Sequence, residues 1–410
     1  MTIAVITSLR QLAPRMGAAL FVSLFFFIPA HVAPVYVLTA LMLLLSLFEG
    51  RFREKWTILR GDSLFWIFQA FFWIIPLSLL WTEDLAAGLK MLGRYGFFLL
   101  SPLYLLVARR EHAGKCILVF LAGIAGAEVL AYYNWLQMHV VPEWPRGIRV
   151  QKEAEDTAPF VDHILYAPIL AWAGYLAAYR FLFGEAGHRR GYGLLALATC
   201  GNLVFSGGRA GQMVFLALLA VLVFQRFAKR PALATLLSAA LISALLAVSY
   251  VSNDYFRSRL DMAVEEIASI DNTVNTSTGL RLTFYANSVR LFTEHPLIGV
   301  GAGDFTREYA RVHEQHSPGW LTTTNPHNQY LFVLTTTGLL GGAILLLTLF
   351  PPALWRRQGD KLDHLRIGLV VFIGVSCLFE DYLWRSNTSL LFVLFAVVLL
   401  GKPKPVPGGR

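Results

Sequence analysis

Apolar residues recur along the chain in long runs broken by short polar stretches, without the alternation of a half-buried strand. A helix needs about 20 mostly apolar residues to cross a membrane. Twelve runs approach that length: 16–30, 32–48, 63–81, 91–108, 116–138, 163–183, 192–205, 210–225, 233–251, 326–350, 367–383 and 387–401. The pattern predicts an all-α polytopic membrane protein with about twelve transmembrane helices. The opening residues, with Arg10 and Arg15 before an apolar run and small residues after it, also fit a signal peptide. That run is counted as the first span.

Composition points the same way. Of 410 residues, 56% are hydrophobic and 15% charged, which excludes a soluble enzyme. The formal charge of +9 would suggest nucleic acid in a soluble chain, but the basic residues stand in clusters between apolar runs and read as topology signals. Arg51, Arg53, Lys55 and Arg60 form one cluster, and Arg109, Arg110 and Lys115 the next; Arg189 and Arg190, then Arg226, Lys229 and Arg230, then Arg356, Arg357, Lys361 and Arg366 continue it. These loops and both termini are predicted to be cytoplasmic. Cys116, Cys200 and Cys377 all fall in apolar stretches, against a disulfide framework or zinc cluster. No internal repeat is visible, and the basic tail 402–410 reads as a disordered end.

The outward loops are then 82–90, 139–162, 206–211, 252–325 and 380–387. The division predicted is nine spans over 1–251, a lid over 252–325, three spans over 326–401 and a cytoplasmic tail. The lid is too long for a simple connection and too polar to span. Its first part has Phe256, Leu260, Val264 and Ile267 at helical spacing; a second helix is predicted over 279–292, with Arg281, Tyr285 and Ser288 on one face and Arg290 apart, ending at Glu294-His295-Pro296. PLIGVGAG, with Gly299, Gly301 and Gly303, lacks the strand and later acidic residue of a dinucleotide fingerprint. It reads as a tight turn, whose glycines also let main chain approach a phosphate or sugar. His313 and His316 are three apart, but no further donor completes a metal site, and no metal is expected.

Two outward features carry chemistry. In TNPHNQYLF, Asn325 suits an N-cap and Pro326 the first helical position, placing His327 and Asn328 in the first turn. A helix N-terminus opposes positive charge on His327, so the ring suits a general base; the bland alternative is local capping by an interfacial histidine. In SGGRAG, a tight turn holds Arg209 at the membrane surface, either snorkelling or anchoring an anion such as a lipid pyrophosphate. Lys90, Arg94, Arg146 and Arg149 add outward cations, which are also ordinary beside anionic lipid.

Asn325-Pro326-His327-Asn328, nine residues and then Gly338-Leu339-Leu340-Gly341 resemble the histidine motif of bacterial O-antigen ligases. SGGRAG resembles that family's outer-loop arginine motif, and HPLIGVGAGDF the Pro-Leu-x-Gly-x-Gly segment of the O-antigen ligase/polymerase superfamily. One departure is Met213, where a leucine is expected. The motifs cover about residues 200–345, and the topology extends the likeness over the chain.

The resemblance implies a metal-independent, inverting GT-C glycosyltransferase of the bacterial inner membrane, with its lid and active site periplasmic and no cofactor. It would move an O-antigen glycan from undecaprenyl pyrophosphate to lipid A-core, in lipopolysaccharide biosynthesis. His327 is then the base and Arg209 the first pyrophosphate contact. Asn328, Arg281, Arg290, Arg146, Arg149, Lys90 and Arg94 are substrate-binding candidates, with His313 nearer the acceptor. An O-antigen polymerase and a protein O-oligosaccharyltransferase use the same donor. A lipid-linked glycan transporter would place charge at the bilayer midplane, where Glu128 is the one candidate. A metal-dependent oligosaccharyltransferase would want paired outer carboxylates; the first outer loop has only His31, which leaves Glu83 and Asp84 in the next.

Overall fold

The computed structural model describes residues 3–149, 156–252, 257, 258, 260–262, 264, 276–351 and 362–402. All regular structure among them is helical. The first eleven α-helices are α1 (Ile3–Phe27), α2 (Ala33–Glu49), α3 (Phe52–Arg60), α4 (Ser63–Ser78), α5 (Leu85–Arg94), α6 (Gly96–Val107), α7 (Ala113–His139), α8 (His163–Phe183), α9 (Arg189–Phe205), α10 (Arg209–Arg226) and α11 (Pro231–Ser252). Then follow α12 (Ser277–Glu294), α13 (Phe305–His316), α14 (Gln329–Leu349), α15 (Asp363–Ser376) and α16 (Ser386–Leu400).

Every apolar run carries a helix, but not every helix is long enough to span. Arg110–His139, Arg209–Arg226, Pro231–Val251 and Gln329–Leu349 meet the length and hydropathy of a crossing; α2 and α3, bent by 118°, make a fifth if taken together. Leu12–Phe27, Ser63–Ser78 and Ser386–Leu400 are apolar but shorter. The run 91–108 is divided at Tyr95 into α5 and α6. Length and composition alone thus pick out four or five spans among the described residues, and several of the other runs carry helices shorter than the ~20 residues of a full crossing.

α16 is apolar on all sides and buried from Asn387 to Leu400, which places it at the centre. The Phe395 ring meets Phe25 of α1, Phe120 of α7 and Trp172 of α8 at 5.0–5.3 Å. Phe392 meets Phe68 of α4 at 5.9 Å and Phe98 of α6 at 6.4 Å. α1 belongs to this core: Phe21, Leu24 and Phe25 are fully buried, and Asn387 Nδ2 donates to the carbonyls of Ile28 and Ala30. On the periphery, Leu194, Leu197, Val248 and Val251 point outward, as lipid-facing side chains do.

The amphipathic helix expected at the start of the lid lies mostly outside the described residues. The second lid helix is α12; Thr276 caps it by accepting from Gly279 N, and it ends at Glu294 as its sequence predicts. α12 and α13 meet through Phe284 and Tyr309, and Phe305 packs on Phe332 of α14.

The glycine run approaches protein backbone. Val300 N donates to Thr335 O (2.9 Å), Gly301 N to Thr336 O (3.0 Å) and Leu339 N to Pro296 O (2.8 Å), across a break in α14 at Gly338 (φ 66°). A Cβ at Gly299 would lie 2.4 Å from the Thr336 carbonyl carbon, and one at Gly338 2.3 Å from that of Leu297. The Pro-Leu-x-Gly-x-Gly segment and the first glycine after the histidine motif are two sides of one backbone crossing.

Candidate active site

α14 begins later than its sequence suggests. Asn328, with extended backbone (φ −156°, ψ 111°), is the N-cap and accepts from Leu331 N at 3.1 Å. Asn325 instead closes a turn by accepting from His327 N at 3.0 Å, which leaves His327 just outside the helix with φ 52°. A non-glycine residue there costs about 1–3 kcal/mol and must be held by its surroundings. Tyr285 Oη donates to Leu378 O (2.9 Å) and lies 3.3 Å from His327 O; Asn328 Nδ2 donates to the same Leu378 carbonyl. Phe284 stacks on the imidazole at 5.9 Å between centroids.

The strained turn aims His327 at the 377–385 connection before the central helix. Its Nδ1 lies 2.8 Å from Glu380 Oε2, and Arg385 Nη2 lies 3.5 Å from Glu380 Oε1. Burial pushes the Glu380 carboxyl up, but the hydrogen bond and charge of His327, with the charge of Arg385, outweigh it and hold Glu380 below the usual carboxylate range. Asp381 goes the other way. Fully buried, it is pushed well above its ordinary value by burial and by the charge of Glu380 beside it. In its neutral form, with Nδ1–H donating to an ionised Glu380, His327 has Nε2 as its proton acceptor, and the charge that Glu380 pairs with belongs to the protonated ring.

The connection is fastened at both ends. Gln329 N donates to Cys377 O, its side chain bridges Tyr95 Oη and Leu383 N at 2.9 Å each, and Tyr382 Oη donates to Ile164 O of α8 at 2.9 Å. Next to it opens a cavity of about 170 Å³, lined by Asp156, His163, Arg209, Arg281, Glu380 and Tyr382, with Ser206–Gly211 forming one wall. α8 and α10 both begin there, with their positive dipole ends at the cavity. Glycine makes this possible: a Cβ at Gly211 would lie 2.3 Å from the Ala167 carbonyl carbon, and one at Gly208 2.3 Å from Ala167 Cβ.

The structure therefore brings Arg209 and Arg281 together at one cavity and joins it to His327 through Glu380. The other expected residues stand elsewhere. Asn328 caps α14. Arg290 Nη1 donates to Asn287 Oδ1, and Arg94 lies over the Trp384 ring at 5.2 Å. Lys90 and Arg146 are exposed, and Arg149 contacts Met138. His313 is buried, its ring nitrogens bonded to Trp320 O and Ser317 Oγ, an arrangement that shapes the 313–320 turn. Glu83 and Asp84 donate their backbone N–H groups to Asp304; Glu83 also pairs with Arg307, and Asp84 caps α5. Sequence reasoning missed Glu380, Arg385, Asp156 and His163. The adjacent acids of Glu380-Asp381 between two apolar runs were the available signal.

No curated protein matches the chain. Residues 194–346, which carry Arg209, Arg281, His327 and Gly338, match the model of the family described as O-Antigen ligase, and this match supports membership of the O-antigen ligase/polymerase superfamily.

Proposed function

We propose that the protein is an O-antigen ligase: a GT-C glycosyltransferase that moves a glycan from undecaprenyl pyrophosphate to lipid A-core on the periplasmic face of the bacterial inner membrane. The observation that carries this reading is the joining of a His327–Glu380 pair to a cavity holding Arg209 and Arg281. In this reading both termini are cytoplasmic, the remaining apolar runs also cross to make a twelve-span topology, and 252–325 is the periplasmic lid.

The chemistry follows from the parts. An acceptor sugar hydroxyl attacks the anomeric carbon of the donor while the bond from that carbon to the pyrophosphate oxygen breaks, inverting the centre. His327 Nε2 takes the hydroxyl proton, and Glu380 stabilises the imidazolium that forms. The electron pair leaves on pyrophosphate, whose charge meets Arg209, Arg281 and two helix N-termini. The cavity suits a pyrophosphate group rather than a whole glycan, so the glycan extends from its mouth. A proton acceptor and cationic leaving-group site suffice for this step, and the account uses no metal.

The test is transfer by purified protein in excess EDTA, with undecaprenyl-pyrophosphate glycan as donor and either lipid A-core or a second lipid-linked glycan as acceptor. Glycosylated lipid A-core is the expected product. Product formed only on the lipid-linked glycan would replace the ligase with a polymerase, and no product with either acceptor would remove the transferase reading.

A further inference from the structure

The cavity is flanked by a second histidine–carboxylate pair that the transfer chemistry above leaves unused. His163 is the first residue of α8, and its Nδ1 lies 3.1 Å from Asp156 Oδ2. Asp156 is held in turn: Oδ1 accepts from Ala158 N at 2.9 Å, and Oδ2 also accepts from His163 N at 3.2 Å. The Asp156 side chain is 2% exposed and that of His163 30%, so the carboxylate is structural in placement while the ring reaches open space. Both residues line the cavity that holds Arg209 and Arg281.

We propose that His163, oriented by Asp156, is a third ligand of the donor's pyrophosphate, alongside Arg209 and Arg281. The proposal rests on the reading that this cavity takes a lipid-linked pyrophosphate. With Nδ1 donating to Asp156 and Nε2 to a phosphate oxygen, the ring carries a positive charge shared between the carboxylate on one side and the pyrophosphate on the other. Among the described residues lining the cavity, Arg209 and Arg281 are the like charges and Asp156 and Glu380 the opposite ones, and a bound anion offsets the first two. The division of labour is spatial: His327 lies toward the acceptor at the 377–385 connection, and His163 toward the leaving group where α8 and α10 begin.

The test is equilibrium binding of undecaprenyl pyrophosphate, without glycan, to the full-length protein in detergent, so that turnover is not needed. Loss of one charge-assisted hydrogen bond predicts about tenfold to a hundredfold weaker binding by His163→Ala. His163→Gln, which keeps an amide donor near the Nε2 position, should recover part of that loss, and Asp156→Asn should weaken binding less than His163→Ala. Phosphatidylglycerol at the same concentration should not compete, whereas inorganic pyrophosphate should.

Unchanged affinity in His163→Ala overturns the proposal while leaving the donor reading intact. Equal losses in His163→Ala and His163→Gln also overturn it, by assigning the residue to packing. Competition by phosphatidylglycerol equal to that by pyrophosphate makes the cavity a bulk-lipid site and overturns it too. If the wild-type protein does not bind undecaprenyl pyrophosphate, the donor reading fails and this proposal with it.

Discussion

Glu380 Oε2 and His327 Nδ1 lie 2.8 Å apart although 53 positions separate them in the chain, and the carboxylate of the pair is 2% exposed while the imidazole is 30% exposed. This is how an orienting acid and a working base are arranged: the acid is shielded and fixed, and the ring keeps one nitrogen for chemistry.

The neighbouring acids should therefore respond differently to the same change. Glu380→Gln removes the charge that stabilises an imidazolium and should lower the transfer rate by at least about tenfold. Asp381 is pushed toward its neutral form by burial and by Glu380, so Asp381→Asn, which keeps the shape, should cost less than Glu380→Gln and keep the rate within about twofold. Transfer kinetics of the two variants check this, and equal losses would contradict the assignment of charge.

The pH dependence of stability follows from Glu380. Its carboxyl lies below its ordinary value in the folded protein, so its ion pairs contribute stability above the unfolded value of about 4.3, and that contribution is lost as pH falls through the depressed folded value. Thermal unfolding in detergent should show Glu380→Gln less stable than wild type at neutral pH. The gap should close on acidification; a gap that widens toward acid has the wrong sign.

Much of the fold was legible in the sequence. Each apolar run carries a helix, and the end of α12 at Glu294 was readable from Glu-His-Pro. His327 and Arg209 stood out as candidates because glycine, proline and asparagine punctuate the segments around them, and Arg281 because helical spacing puts it on one face with Tyr285 and Ser288. The cap was misplaced because Asn325 and Asn328 compete for it; Asn325 spends its side chain on His327 N, which only the folded turn reveals. Glu380, Asp156 and His163 were missed because none sits in a motif and each acquires meaning from a partner or a cavity wall. These three lie outside residues 194–346, the segment that matches the family.

The glycine crossing supplies a stability prediction. Gly338→Ala forces a Cβ into the Leu297 backbone at a residue with φ 66°, and Gly299→Ala does the same against Thr336 with φ 69°. Each should cost about 2 kcal/mol or more and lower the thermal midpoint, with alanine at exposed Gly187, which has open space around its Cβ position, as a neutral comparison. Wild-type midpoints in both crossing variants would show that this contact does not hold the lid segment to α14.

Arg209 should act through geometry as well as charge. Arg209→Ala should raise the donor KM by about tenfold or more while leaving the acceptor KM unchanged, and Arg209→Lys should recover only part of the loss, because an ammonium cannot make the bidentate contact of a guanidinium. Initial-rate kinetics with each substrate varied separately check this. A shift in acceptor KM alone would move Arg209 to the other substrate.

The most direct measurement is the transfer rate of His327→Ala, with donor binding determined on the same preparation. A positioned general base predicts a loss of about 10²–10⁴-fold in kcat, with undecaprenyl pyrophosphate still bound within about twofold of wild type. Full activity in His327→Ala, or lost activity explained by lost donor binding, would contradict the account.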